Sequence, residues 1–521
     1  MKNLHLKLTA LAAAAAMVIG SVPAASVFAD DKLSIAVTGG GESSMVLNTS
    51  LTSALNGLST ARHLFEGLYK LDANNELVLG QAEKVEISED SLTWTFTLRD
   101  DATWSDGVAV KAADFVYGFD SLASNGGDYS SLVSGVVSSY EATDDKTLVL
   151  HLAFPCAYLP SILAFPSSYP LRQDIVEQYG ESYATDPDMA VYNGPYALTG
   201  WAHESDLTLE LRDDYYDADS ISVGTIDWML ITEDSSALSS FESGDLIYSD
   251  MCPDEEKPRM EGNGLYYTSG NNNYCVMFNL GPNGNEVLKD AKVREALSLT
   301  IDRARIINIR GMNDEMGKTL APSGFVNADG VDFTDYADPW VDTEDYEGNC
   351  EKAKALLAEA GYENGEGFPA LRYIVSNDSR KEIAEAIVND WKEVLGIDSI
   401  TVEKVENFFA SRSTGDYDLS YYGWFMDYTD LSNMFGIFVD TANANSFYDS
   451  ADYTAAYTAA ISTSDQAEQW ENYKKCEQIL AQDLPVSVIL HSQNSYLFDD
   501  ANYEGLVYSC GTFVFTYVTA K

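Results

Sequence analysis

Hydrophobic and polar residues alternate with period two from Leu92 to Leu98 (Leu-Thr-Trp-Thr-Phe-Thr-Leu), which predicts a half-buried strand. The same alternation recurs from Leu148 to Leu152 and from Leu207 to Leu211. A short apolar run from Leu33 to Val37 predicts another strand, and a Gly/Ser-rich stretch follows it from Thr38 to Ser44. Trp104-Ser105-Asp106-Gly107 reads as a turn, with the glycine free to take positive φ. Elsewhere the period lengthens. Residues from Ala112 to Leu122 have helical spacing, and Val293, Leu297, Ile301 and Ala304 recur on one helical face. Three stronger helices follow: Glu351 to Ala360 stopped by Gly361, Arg380 to Leu395 stopped by Gly396, and Gln466 to Ala481 ended by Pro485. Strands and helices mix without a fixed period, which excludes a repeat protein and predicts an α/β fold with several sheets.

The N-terminus breaks this pattern. Lys2 and Lys7 precede an uncharged, alanine-rich run from Leu8 to Ile19, and Val27-Phe28-Ala29 offers small residues before Asp30. This reads as a signal peptide over residues 1–29, because a run of about a dozen residues falls short of the ~18–20 that span a bilayer. No cysteine follows the run to carry a lipid, since the first is Cys156. The expected product is exported, periplasmic or at the cell surface, without membrane insertion. At 521 residues the chain is long enough for several domains. Its formal charge is −51, and loss of Lys2 and Lys7 makes it more negative still. Such a surface repels phosphate backbones, which argues against nucleic-acid partners.

Catalytic and metal-binding patterns are weak. The six cysteines are scattered without a CxxC pair, and none of the five histidines forms an HExxH helix. Disulfides are compatible with export, but spacing does not say which. No GxSxG elbow occurs, and the 82 acidic residues make any carboxylate pair uninformative. Gly311 to Thr319 has one residue too many for a phosphate-binding loop. Neither a cofactor nor an enzyme is expected.

One set of segments is informative together. His63-Leu-Phe-Glu66-Gly67-Leu68-Tyr69 comes first. Trp94 to Arg99, Trp104 to Gly107 and Ala113-Asp114-Phe115-Val116-Tyr117 follow it. Then come Asn193-Gly194-Pro195-Tyr196 with Trp201, and Val293-Arg294-Glu295-Ala296-Leu297 with Ile301-Asp302-Arg303. Ala353 to Tyr362 and Tyr417 to Tyr428 complete the series. In order and spacing these resemble the family 5 extracellular solute-binding proteins, which serve peptide and nickel ABC importers. Most of the quoted residues also read as plain scaffold. The exception is Gly423-Trp424-Phe425-Met426-Asp427-Tyr428, whose glycine, aromatics and single acid suit a place where backbone meets ligand.

The resemblance implies a two-lobed, periplasmic-binding-protein-like α/β fold of the three-domain cluster C type, closing about a hinge. One domain would comprise residues 30–55, 192–270 and 486–521, a second 56–191, and the other lobe 271–485. It implies capture of short peptides in the cleft and delivery, as a monomer, to a membrane permease driven by ATPase subunits. At residue level it implies that Asp427 pairs with the ligand α-amino group and that Gly423, Trp424 and Phe425 line the same site. Arg380, and secondly Arg412, are candidates for the ligand carboxylate, each with surface charge as the alternative. Some relatives carry an arginine where this chain has Tyr421, and a cysteine partner for Cys275's position where it has Phe425. The same fold could instead take a nickel chelate, an opine, glutathione or an oligosaccharide, or serve as a peptide sensor; a hydrolase is disfavoured.

Overall fold

The computed structural model describes residues 32–439, 446–509 and 511–521; the expected signal peptide and Cys510 lie outside them. Two long antiparallel strands, Leu265–Phe278 and Val486–Phe498, organise the architecture. Past one edge of this pair the sheet continues through Tyr248–Ser249, Leu33–Thr38, Val223–Met229, Asp206–Leu211 and Tyr196–Ala202. Past the other edge it continues through Leu419–Tyr422, Leu371–Val375 and Ile400–Lys404. The two strands therefore join two sheet halves, and neither half is a continuous piece of chain. A separate four-stranded antiparallel sheet runs in the order Ala82–Ile87, Thr93–Leu98, Thr147–Leu152, Val137–Ala142. Its two central strands bury every second residue, as their alternation predicts. One apolar cluster takes in Phe96, Trp104, Phe115, Trp228 and Phe515. Another, with Val276, Leu297, Ile387, Trp391 and Leu419, fills the half built on Leu371–Val375.

Many of the recognisable motif residues are buried polar ties. Trp104 Nε1 donates to Asp114 at 2.9 Å, and Asp114 also accepts from Lys111 N at the start of helix Ala112–Asn125. Arg212 donates to the carbonyls of Tyr192, Gly194 and Thr103, which joins two of the motifs. Arg294 donates to Leu288 O and Leu484 O, and Arg303 to Gly317 O and Val488 O. Burial lowers the affinity of both guanidiniums for their proton, that of Arg303 to about 10. A buried cation is tolerated only where its N–H groups are satisfied, and here backbone carbonyls at the base of the Val486–Phe498 strand satisfy them.

Three expectations need correction. The apolar spacing from Val293 to Ala304 is not one helix but two, Ala291–Leu299 and Arg303–Arg310. Asp302 separates them, because its carboxylate accepts from Arg305 N at 2.9 Å and caps the second. The helix expected from Glu351 starts at Tyr346, where Asp345 caps it. The helix expected from Arg380 starts at Asp378, because the Asn377 side chain accepts from Arg380 N at 2.9 Å. Arg380 thus lies inside the first helical turn rather than at the helix start. Gly396 ends that helix in the left-handed conformation, φ 74°.

Candidate functional site

The site begins with an irregularity in a long strand. Ladder pairing between the two long strands holds at Ser269↔Gln493 and resumes at Asn273↔His491, so more residues bulge on one side than on the other. Gly270 is required there, since a Cβ would lie 2.7 Å from Ser492 O, and Asn271 has φ 50°. The bulge frees backbone groups of Asn271–Asn273 to pair with a different segment. Met426 N donates to Asn271 O at 2.9 Å, Asn272 bridges to Phe425, and Asn273 N donates to Trp424 O at 3.3 Å. Segment 423–427, leaving the Leu419–Tyr422 strand, is therefore held by the backbone of the strand that joins the sheet halves. Gly423 permits the approach, because a Cβ would lie 3.0 Å from Asn273 O.

A cavity of about 320 Å³ opens beside this junction. Gly423, Trp424 and Phe425 line it with Arg380, Tyr421 and Arg310. The Arg380 guanidinium lies 4.0 Å from the Tyr421 ring centre, and its Nη1 donates to Ser376 Oγ. Tyr421 is thus the platform for an arginine. Arg310 lies over Tyr274 at 5.2 Å, and Tyr274 and Tyr421 are 4.2 Å apart. Two cations consequently flank one aromatic pair. Arg310 also pairs with the buried Asp314, which leaves Arg380 as the less compensated charge. Phe425 is the most exposed ring of the segment, at 36%.

Asp427 lies beyond the lining of this cavity, on the same segment. Its backbone N–H donates to Asn433 Oδ1 at 3.3 Å, and its carboxylate accepts from Asn433 Nδ2 at 3.4 Å. The Asn433 oxygen also takes the Trp424 indole N–H at 2.7 Å, so one amide orients both side chains. Burial raises the Asp427 carboxyl above its ordinary value, the Asn433 hydrogen bond opposes this, and the Asp128 carboxylate adds to the rise. Asp427 does not cap the following helix. Asp430 does, accepting from Ser432 N at 2.8 Å ahead of Leu431–Gly436.

Of the six expected residues, Gly423, Trp424, Phe425 and Arg380 line one cavity, and Asp427 follows on the same segment outside that lining. Arg412 is elsewhere. It is buried at 5% exposure, with its guanidinium 4.8 Å from the Tyr422 ring, and is not a surface charge. Arg310 and Asp128 were not singled out from the sequence. Arg310 falls in the helix ahead of a glycine-containing loop, and Asp128 is one acid among many. Cys275 is buried and free, facing Tyr422 across the strands, while Phe425 faces Asn272. The other described cysteines are also free. Among the described residues no three His, Cys, Asp or Glu side chains converge on a metal position, and no helix is long and apolar enough to cross a membrane.

Two sheet halves joined by crossing strands, with a cavity at the crossing, define a two-lobed solute-binding protein of the periplasmic type. The chain belongs to the bacterial extracellular solute-binding proteins, family 5, whose profile matches residues 76–446. It is 28% identical to the periplasmic oligopeptide-binding protein OppA of Salmonella typhimurium, over 94% of this chain and 92% of that one. It is 26% identical to the oligopeptide-binding protein OppA of Bacillus subtilis, over 86% and 85%. Among solved structures, an unliganded open form of the periplasmic murein tripeptide-binding protein MppA superposes with TM-score 0.79 at 23% identity, covering 95% of this chain and 99% of that one. Haemophilus influenzae OppA in complex with the peptide RPPGFSPFR superposes with TM-score 0.67 at 24% identity, over 94% and 99%. The family and these neighbours are substrate-binding proteins rather than enzymes.

Proposed function

We propose that this protein captures short peptides outside the cytoplasm and delivers them to the permease and ATPase subunits of an ABC importer, acting as a monomer after removal of residues 1–29. The observation that carries the reading is one short segment, 423–427, whose first residues line the Arg380 cavity and whose last carries the Asp427 carboxylate. The Asp427 carboxylate is half-buried against the Asn433 amide, and Arg380 presents a guanidinium on the Tyr421 ring in the cavity lined by the same segment. An acid at one end and a base at the other match a zwitterion with a free amine and a free carboxylate. The backbone of segment 423–427 suits a main-chain ligand, which can be held as an added strand with its side chains left in solvated space. The peptide-binding relatives named above support the same class of ligand. On this reading residues 30–55, 192–270 and 486–521, with 56–191, form one lobe and 271–485 the other, and ligand favours their closure.

The deciding experiment is mass spectrometry of small molecules released from purified protein, followed by calorimetric titration of what is found. Recovery of peptides with free termini supports the proposal. Recovery of a sugar or metal chelate that binds stoichiometrically overturns it.

A further inference from the structure

We propose that Glu477 is a positioning residue for the ligand site, holding the Trp424 backbone in place through Leu320 and Asn273. This rests on the reading of segment 423–427 as ligand-contacting.

Glu477 lies on helix Gln466–Asp483 and is fully buried. No lysine or arginine pairs with it among the described residues. Its carboxylate is instead a knot for N–H groups. Oε1 accepts from Leu320 N at 2.9 Å and Ala321 N at 3.0 Å, and Oε2 accepts from Trp340 Nε1 at 2.6 Å. Thr319 O, one residue earlier, accepts from His491 Nε2 at 3.0 Å. The turn 319–321 is thus pinned from two sides, by the helix and by the Val486–Phe498 strand.

The turn then passes its position on. Leu320 O accepts from Asn273 Nδ2 at 3.2 Å. With its amide nitrogen so engaged, Asn273 presents Oδ1 to Trp424 N at 3.3 Å, while its own backbone N donates to Trp424 O. Glu477, Leu320 and Asn273 are each at most 1% exposed, so water does not compete for these groups. An apolar residue in place of Glu477 would fill the space but orphan three N–H groups. Keeping a carboxylate there has a large desolvation cost, which is understandable if the turn must be held in one place rather than merely packed.

The test uses Glu477→Gln, Trp340→Phe and the double variant. Glutamine keeps a carbonyl oxygen for Leu320 and Ala321 but turns an NH2 towards the Trp340 N–H. Trp340→Phe removes that conflict and is therefore the rescue. Residue-resolved amide exchange in ligand-free protein reads Leu320, Ala321 and Trp424, and calorimetry with trialanine reads the site. In Glu477→Gln, exchange at Leu320 and Trp424 should accelerate about ten- to a hundredfold and trialanine affinity should fall, and the double variant should restore both. Acceleration at Leu320 with no change at Trp424 overturns the proposal, as does failure of the rescue. If the exchange pattern holds while trialanine binding is absent or identical in all variants, the link stands and the assignment of segment 423–427 to the ligand fails. Should Glu477→Gln not fold, Asn273→Ala tests the downstream half: it should accelerate Trp424 alone, and an unchanged Trp424 again overturns the proposal.

Discussion

Replacing Asp427 by asparagine separates a ligand anchor from a structural acid, because the two predict opposite signs. Asparagine keeps the shape and removes the charge. In the ligand-free protein the Asp427 carboxyl is raised by burial and by Asp128, against the Asn433 hydrogen bond. A carboxyl whose folded-state pKa is raised contributes stability that is fully present below its unfolded value and lost as pH rises through the folded one. Once the pH is above that folded value the contribution is gone, so there Asp427→Asn should leave the free protein as stable or make it slightly more so. Ligand binding should respond in the other direction. A peptide ammonium beside the carboxylate offsets its desolvation, and removing one partner of such a pair costs about 2–5 kcal/mol. At ~1.4 kcal/mol per decade that is roughly a thirty- to several-thousandfold loss of affinity. Wild-type affinity should also fall as pH drops through the raised Asp427 value, and the variant should lack this acid limb. N-acetylated peptide should lose a comparable amount in wild type and little more in the variant, a strongly non-additive cycle. Calorimetric titration with free and acetylated trialanine, alongside thermal unfolding, measures all of these. A variant that folds less stably yet still prefers the free amine by the wild-type margin would refute the reasoning.

Other outcomes follow from the same geometry. Arg380→Ala should weaken free-carboxylate peptides more than C-terminally amidated ones in paired titrations; equal losses would remove Arg380 from the carboxylate end. Arg412→Ala, which empties a buried position against Tyr422, should lower stability by about 2–5 kcal/mol in denaturant unfolding and leave peptide affinity unchanged. Loss of affinity at unchanged stability would return Arg412 to the site. A ligand that binds only the native state should add ~2.7 kcal/mol of stability at a hundredfold excess over Kd, and X-ray scattering should show a smaller radius with peptide than without. N-terminal sequencing of exported protein should begin at or near Asp30.

Local pattern carried the elements whose stability is local. Thr93–Leu98 and Thr147–Leu152 alternate because one face of a small sheet is buried, and their residues say so. Helices that end at Gly361 and Gly396 were legible from the glycine that must take positive φ. Their starts were misplaced because Asp345 and Asn377 act through side-chain caps, and such residues are common outside caps too. The two long strands were not legible. Ser269-Gly270-Asn271-Asn272-Asn273 reads locally as a polar turn, and only pairing with residues more than two hundred positions away makes it part of a strand. The site was half legible for the same reason. Segment 423–428 is contiguous and stood out, whereas Arg310 reaches the cavity from a distant helix and carries no local mark.

The polar character of that bulge also explains why segment 423–427 sits where it does. A regular ladder would have spent every N–H and C=O of Leu265–Phe278 on its neighbours. The bulge instead leaves Asn271 O for Met426 N and Asn273 N for Trp424 O, and the Asn273 side-chain oxygen accepts from Trp424 N. The groups that hold the segment therefore belong to the strand that joins the two sheet halves. A change of twist at residues 270–272 would reorient Asn271 and Asn273 together, and Trp424 and Met426 must move with them or lose their hydrogen bonds. At about 0.5–1.5 kcal/mol net for each bond, the segment would follow the strand rather than break away. On the proposed function, contact with ligand at the segment and the angle between the lobes are then set by one short stretch of backbone. Ligand needs no separate relay to bias closure, because the residues it touches are tied to the strand about which the lobes would turn.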